Sequence, residues 1–211
     1  KFGEILNDVK KNKPGLLVLI GDELADRGKN DWFTLEVLSA LHDAKIPFNI
    51  QLSNHSLQAL AFFSGTKSIR LNKGQEASLD NCQTLLKAFP ELEPKFEGLK
   101  NMYKKHLSLI GYQFEEGTEE RLILYTHAPI DTNTLQLIAS EFGISEVDLT
   151  TVVGLVDCID KINKEFLESI QNNSFITNHI ATDDYRKASF NMFKGLSNAY
   201  KDSRSGIFQL C

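Results

Sequence analysis

The chain has 211 residues, 42% of them hydrophobic and 24% charged, a balance that excludes a disordered chain and suits one full core, or one core with an added lobe. Its net charge of −5 argues against a nucleic-acid surface as the main function. No apolar run is long enough to span a bilayer, and no signal peptide is visible. Cys82, Cys158 and Cys211 are odd in number and far apart, with no paired spacing; Cys82 and Cys158 sit among apolar residues at helical period and read as buried thiols in a reducing compartment. Neither Cys82 nor Cys158 lies in a Gly-rich loop followed by Arg, which argues against a cysteine-nucleophile phosphatase.

Phe2, Ile5, Leu6 and Val9 have the spacing of one helical face over 1–11. Pro14-Gly15 turns the chain into a strand, Leu16 to Ile20. Asp31 is placed to cap a helix from Trp32 to Asp43, with Phe33, Val37, Leu38 and Leu41 inward. Ile46 to Leu52 reads as a second strand, parallel to the first because a helix joins them. A helix over 57–63 follows, ended by Gly65, and another over 77–89, with Pro90 and Pro94 interrupting the pattern. Lys95 to Ser108 reads as a basic amphipathic helix. Residues 109–114 and 120–126 form a hairpin, and from Thr132 the chain is helical over 133–142, 151–172 and 183–200. The middle helix buries Val152, Val153, Leu155, Val156, Ile159, Ile162, Phe166 and Ile170. Gly206 to Cys211 is a last strand. His42 and His106 lie on helix surfaces and take no role.

Chemistry concentrates where apolar runs end. Leu16 to Ile20 leads into Gly21-Asp22-Glu23-Leu24-Ala25-Asp26-Arg27-Gly28, and Ile46 to Leu52 leads into Ser53-Asn54-His55-Ser56. In open α/β sheets that edge is where ligands bind. Taken singly, Asp22 and Asp26 read as turn or helix caps, Arg27 as a solvated charge and His55 as a surface histidine. Their conjunction at adjacent strand tips points to a site.

These residues resemble the calcineurin-like metallophosphatases, phosphoprotein phosphatase branch: GDxxDRG stands as GDELADRG, GNH(E/D) as SNHS, and a strand-then-His loop as Tyr125-Thr126-His127-Ala128. The resemblance covers roughly 1–131. It implies an α/β (α+β) fold of mixed β-sheet layers flanked by helices, with a metallophosphatase core over 1–131. A helical lobe or insertion over 132–205 and a return strand over 206–211 complete the expected organisation.

It also implies two divalent metal ions, Mn²⁺ foremost with Fe or Zn²⁺ as alternatives. Asp22 would bridge them, and Asn54 and His127 would ligate the second. Carboxylate, amide and imidazole suit those metals better than Mg²⁺ alone. His55 would protonate the leaving oxygen, Asp26 would orient its ring, and Arg27 would fork two phosphate oxygens. The expected reaction is attack of a metal-bound hydroxide on phosphomonoesters of proteins or peptides, on Ser/Thr, Tyr or both.

The chain departs from the pattern in several places. The family's Asp-x-His is absent and is expected upstream of Lys1. The last His ligand is not evident, although His179 is a candidate whose plainer reading is a loop histidine. Ser53 and Ser56 replace a Gly and a Glu. A dinucleotide polyphosphate or other small-molecule hydrolase is a second reading, and a degenerate fold serving as a binding module is a third. Divergent helical insertions resemble bacterial effector phosphatases, which would place the protein in the cytoplasm or in a host cytosol. No nucleic-acid partner and no membrane span are expected.

Overall fold

The computed structural model describes residues 2–12, 15–26, 28–66, 73–115, 117 and 121–177. Arg27, His179, Cys211, the helix expected over 183–200 and the strand expected over 206–211 lie outside them.

After α1 (Phe2–Asn12), strand β1 (Leu17–Leu19), helix α2 (Asp31–Asp43) and strand β2 (Phe48–Gln51) form the expected βαβ unit. The two strands pair in parallel, Leu17 opposite Phe48 and Leu19 opposite Ile50. The sheet has a third strand that sequence periodicity misses. The helix expected to reach Ser108 stops at Lys105 (α5, Glu93–Lys105), and Leu107–Ser108 forms β3, parallel to β2. Its pairing rests on bonds from Ile50 N–H to His106 O and from Leu52 N–H to Ser108 O, both 2.8 Å. Two residues are too few to show an alternating pattern, so only a partner strand distant in sequence reveals them.

Several boundaries move for local reasons. Asn30, not Asp31, occupies the N-cap of α2, and the Asp31 carboxylate turns inward instead. Phe33 and Val153, expected inside, are 59% and 80% exposed; in α2 the buried face is Leu35, Leu38 and Leu41. Helix α3 (Asn54–Phe63) starts earlier than expected, at Asn54. After α4 (Lys73–Ala88) the chain makes a single 3-10 turn at Pro90–Leu92. Pro94 does not interrupt α5 but sits in its first turn, where no amide donor is required. The hairpin forms as expected from β4 (Gly111–Phe114) and β5 (Leu122–Tyr125), antiparallel and in a sheet of its own.

Helices α6 (Thr132–Glu141) and α7 (Val152–Gln171) contribute Leu135, Ile138, Ile159, Ile162 and Phe166 to the same buried cluster as the βαβ unit. Helix α7 packs on β3 and α5. Asn163 fastens it there, accepting from Leu109 N–H (3.0 Å) and Ile110 N–H (3.3 Å) and donating to Ile110 O (2.7 Å). An aromatic seam runs from Trp32 stacked on Phe96 (5.4 Å) through Phe63 to the fully buried Tyr103. His42 and His106 are not idle surface residues. His106 stacks on Phe48 (3.8 Å), its Nδ1 meets Phe48 O (3.0 Å), and its Nε2 meets His42 Nδ1 (2.9 Å). Burial holds the His106 pKa below the ordinary imidazole range. The pair ties α2 to the end of α5 at the start of β2, the opposite end of that strand from the motifs.

Candidate active site

The tips of β1, β2 and β5 converge on Gly21. A Cβ at that residue would lie 2.6 Å from Ser53 Cβ, 2.8 Å from His127 Nδ1 and 3.1 Å from Gln51 O. Gly21 also has φ +89°, followed by Asp22 at +63° and Ala25 at +55°. Left-handed Asp and Ala residues carry a strain that persists only where surrounding bonds hold them. Those bonds are present. Asp22 N–H donates to Ser53 Oγ (3.0 Å), and Ala25 N–H donates to the Asp31 carboxylate (3.2 and 3.3 Å). Substituting Gly21→Ala combines a forbidden contact with a left-handed backbone. We expect it to cost at least about 2 kcal/mol, read as a lower midpoint in a urea unfolding curve; an unchanged midpoint would show that the tips can separate.

Asp22, Asn54 and His127, far apart in the chain, meet here. His127 Nε2 lies 3.2 Å from Asn54 Oδ1 and 3.6 Å from Asp22 Oδ1. Its other nitrogen, Nδ1, is 2.8 Å from Ile20 O. A carbonyl can only accept, so Nδ1 carries a proton and donates it there, which is the arrangement that orients a metal-ligating imidazole. Nε2 then presents its lone pair toward two oxygen acceptors. Such a set is closed by a second proton on the ring, by the Asn54 amide turning its NH2 to the ring, or by a cation, and carboxylate, amide oxygen and imidazole are a donor set for a transition-metal ion. Among the described residues no group of three or more His, Cys, Asp or Glu side chains is placed to hold a metal ion. Asp22 and His127, with the Asn54 amide oxygen, are the residues here that could hold an ion.

His55 lies in the first turn of α3, its side chain 13% exposed. Its Nδ1 is 2.8 Å from Ala25 O and 3.9 Å from Asp26 Oδ1. The backbone carbonyl of a left-handed residue therefore makes the orienting hydrogen bond, and Asp26 adds a nearby negative charge at ion-pair distance. With Nδ1 donating to Ala25, Nε2 is the ring atom left for proton transfer. Beside His127, an apolar pocket lined by Leu52, Leu109, Ile110, Ala128, Ile130 and Ile138 opens to solvent.

Sequence reasoning misses the residues that hold this cluster. Ser53 and Ser56, which there look like losses, form a reciprocal capping box. Ser56 N–H donates to Ser53 Oγ (3.0 Å), and Ser53 N–H donates to Ser56 Oγ (3.2 Å). The spacing Ser-x-x-Ser is a faint form of the usual capping signature. Ser53 has extended backbone (φ −114°), so its Cβ is tolerated. Ser56 in turn donates to Glu23 Oε1 (3.4 Å), which also accepts from Tyr103 OH. Burial raises the Glu23 pKa despite those donors, and it raises that of Tyr103 further. Asp31, expected as a cap, is buried between Ala25 N–H and Ser78 Oγ (2.8 Å). Burial raises its pKa as well. Nearby Cys82 is pushed up to about 12 by burial and the Asp31 charge, which makes it inert as a nucleophile.

The mixed α/β fold that brings these strand tips together is similar to that of a solved phosphatase domain. The chain belongs to the WipA-like phosphatase domain family, whose model matches residues 16–201. It is similar to the crystal structure of the phosphatase domain from the Legionella effector WipB, with a TM-score of 0.67 and 29% identity, over 87% of this chain. The chain spans 64% of the length of that solved domain. No curated protein matches it.

Proposed function

We propose that this chain carries the catalytic centre of a metal-dependent phosphatase of calcineurin-like type that hydrolyses phosphomonoesters on proteins. The observation that carries this reading is the facing of His127 Nε2 on the oxygens of Asn54 and Asp22 (3.2 and 3.6 Å), with His55 in the residue after Asn54. Asp22, Asn54 and His127 are the residues that would hold a metal ion. When bound, such an ion neutralises phosphate charge and activates water.

The protein's own part is positional. Ser53 fixes the Asp22 backbone, and Ile20 O fixes the His127 tautomer. Ala25 O holds His55 so that its Nε2 can give a proton to the departing oxygen. Arg27, next to Asp26 in the chain, is the residue we assign to two phosphate oxygens. Were a second ion bound, Asp22 is the carboxylate that would hold it as well.

A protein substrate accords with the exposed position of Asp22 and Asp26, since an open site accepts a side chain carried on a large body. The effector whose domain resembles this one supports action in a host cytosol. Among the described residues no helix is long and apolar enough to cross a membrane. The test is hydrolysis of p-nitrophenyl phosphate with Mn²⁺ and with chelator. Turnover that requires Mn²⁺ is expected, and turnover indifferent to chelator would discard the metal.

A further inference from the structure

The arrangement around Glu23 is more expensive than packing requires. Glu23 follows Asp22 directly, and its carboxylate is largely buried. Oε1 accepts from Tyr103 OH and from Ser56 Oγ, while Oε2 is buried with no partner among the described residues. A buried carboxylate oxygen without a donor costs folding free energy. An apolar residue of similar size at position 23 would avoid that cost. Tyr103, fully buried in the aromatic seam, gives its hydroxyl proton to Oε1.

The bonds run in one direction. Oε1 only accepts, so Tyr103 and Ser56 both give their protons to it. Ser56 Oγ, having spent its proton, accepts from Ser53 Oγ (2.9 Å) and from Ser53 N–H. Ser53 Oγ, having spent its own, keeps two lone pairs for the amides of Asp22 and Ser56 (both 3.0 Å). The acceptor at Glu23 thus sets the orientation of both serine hydroxyls. The Ser53 lone pairs then hold the left-handed Asp22 on one side and the first turn carrying Asn54 on the other.

We infer that Glu23, clamped by Tyr103 and Ser56, is a positioning residue that fixes Asp22 and Asn54 relative to each other through the Ser53–Ser56 pair. This rests on the reading of Asp22 and Asn54 as metal ligands, but the hydrogen-bond relay can be tested without it.

The experiment uses the whole 211-residue chain and the variants Tyr103→Phe, Glu23→Ala and Glu23→Gln. One readout is exchange of the Asp22 amide hydrogen by NMR in metal-free protein. The other is Mn²⁺ affinity from the free-ion electron paramagnetic resonance signal. We expect Asp22 exchange to rise about tenfold in Tyr103→Phe and Glu23→Ala. Glu23→Gln, which keeps an accepting oxygen, should restore most of the protection. Mn²⁺ affinity should fall about 10–100-fold in the same two variants, with KM for p-nitrophenyl phosphate unchanged at saturating Mn²⁺.

Unchanged Asp22 exchange in both damaging variants, with only the unfolding midpoint lowered, would make the cluster a packing feature and overturn the inference. Absence of Mn²⁺ binding by the unsubstituted chain would instead remove the metal reading, and the exchange result would still decide the relay.

Discussion

The Asp22→Asn protein should fold as the parent does and lose both metal affinity and turnover. Asn tolerates the left-handed backbone better than most residues, so the φ of +63° adds no new strain. The amide also keeps the Asp22 N–H bond to Ser53 Oγ (3.0 Å), which belongs to the backbone. What changes is the charge facing His127 Nε2. Removing even an outer partner of a ligand costs about 10–100-fold in metal affinity, and a direct anionic ligand should cost at least that. Turnover of p-nitrophenyl phosphate should fall by about a thousandfold, the upper range for deleting an electrostatic contributor. Calorimetric Mn²⁺ titration and steady-state kinetics at saturating Mn²⁺ check the two parts. A fully active Asp22→Asn protein would end the proposed mechanism.

His55→Ala should separate chemistry from metal binding. A general acid contributes about 10²–10⁴-fold, but only where the leaving oxygen needs a proton. A serine alkoxide does. p-Nitrophenolate spreads its charge through the ring and leaves without help. We expect hydrolysis of a phosphoserine peptide to fall across that range, while p-nitrophenyl phosphate turnover falls far less. Mn²⁺ affinity should stay as it was, because the His55 ring is held by Ala25 O and lies beside Asp26, and it is not among the residues assigned to the metal. Equal losses on both substrates would mean that His55 holds the site together and does not transfer the proton.

The bonds that orient His55 show how the loop and the chemistry share one geometry. Ala25 is held by its N–H on buried Asp31 and presents its carbonyl to His55 Nδ1. Asp31 is anchored in turn by Ser78 on α4. The loop that carries Asp22 and Asp26 is therefore clamped from the helical side as well as from the β2 tip. The exposed carboxylates do not rely on a rigid loop sequence, because buried side chains elsewhere supply the rigidity.

What the sequence determined by itself was the βαβ unit, the hairpin, and the order in which Asp22, Asn54, His55 and His127 arrive at strand ends. Those features follow from runs of apolar residues and their punctuation, which are local and therefore readable. The α/β class and the phosphatase family followed from the same motifs. Tertiary structure alone decided four things. Leu107–Ser108 became a strand because β2 offered unpaired amides and carbonyls. Asp31 left its cap position because Ala25 N–H and Ser78 needed an acceptor. His42 and His106, 64 residues apart in the chain, found each other beside Phe48.

The fourth is the support of the site. Ser53 and Ser56 look like lost ligand-loop residues until Glu23 and Tyr103, drawn together from distant helix and loop, supply the acceptor and donor that complete their bonds. Short-range pattern reports which residues are apolar and where elements end. It does not report which buried polar atoms satisfy one another, because those pairs are chosen by packing across the core.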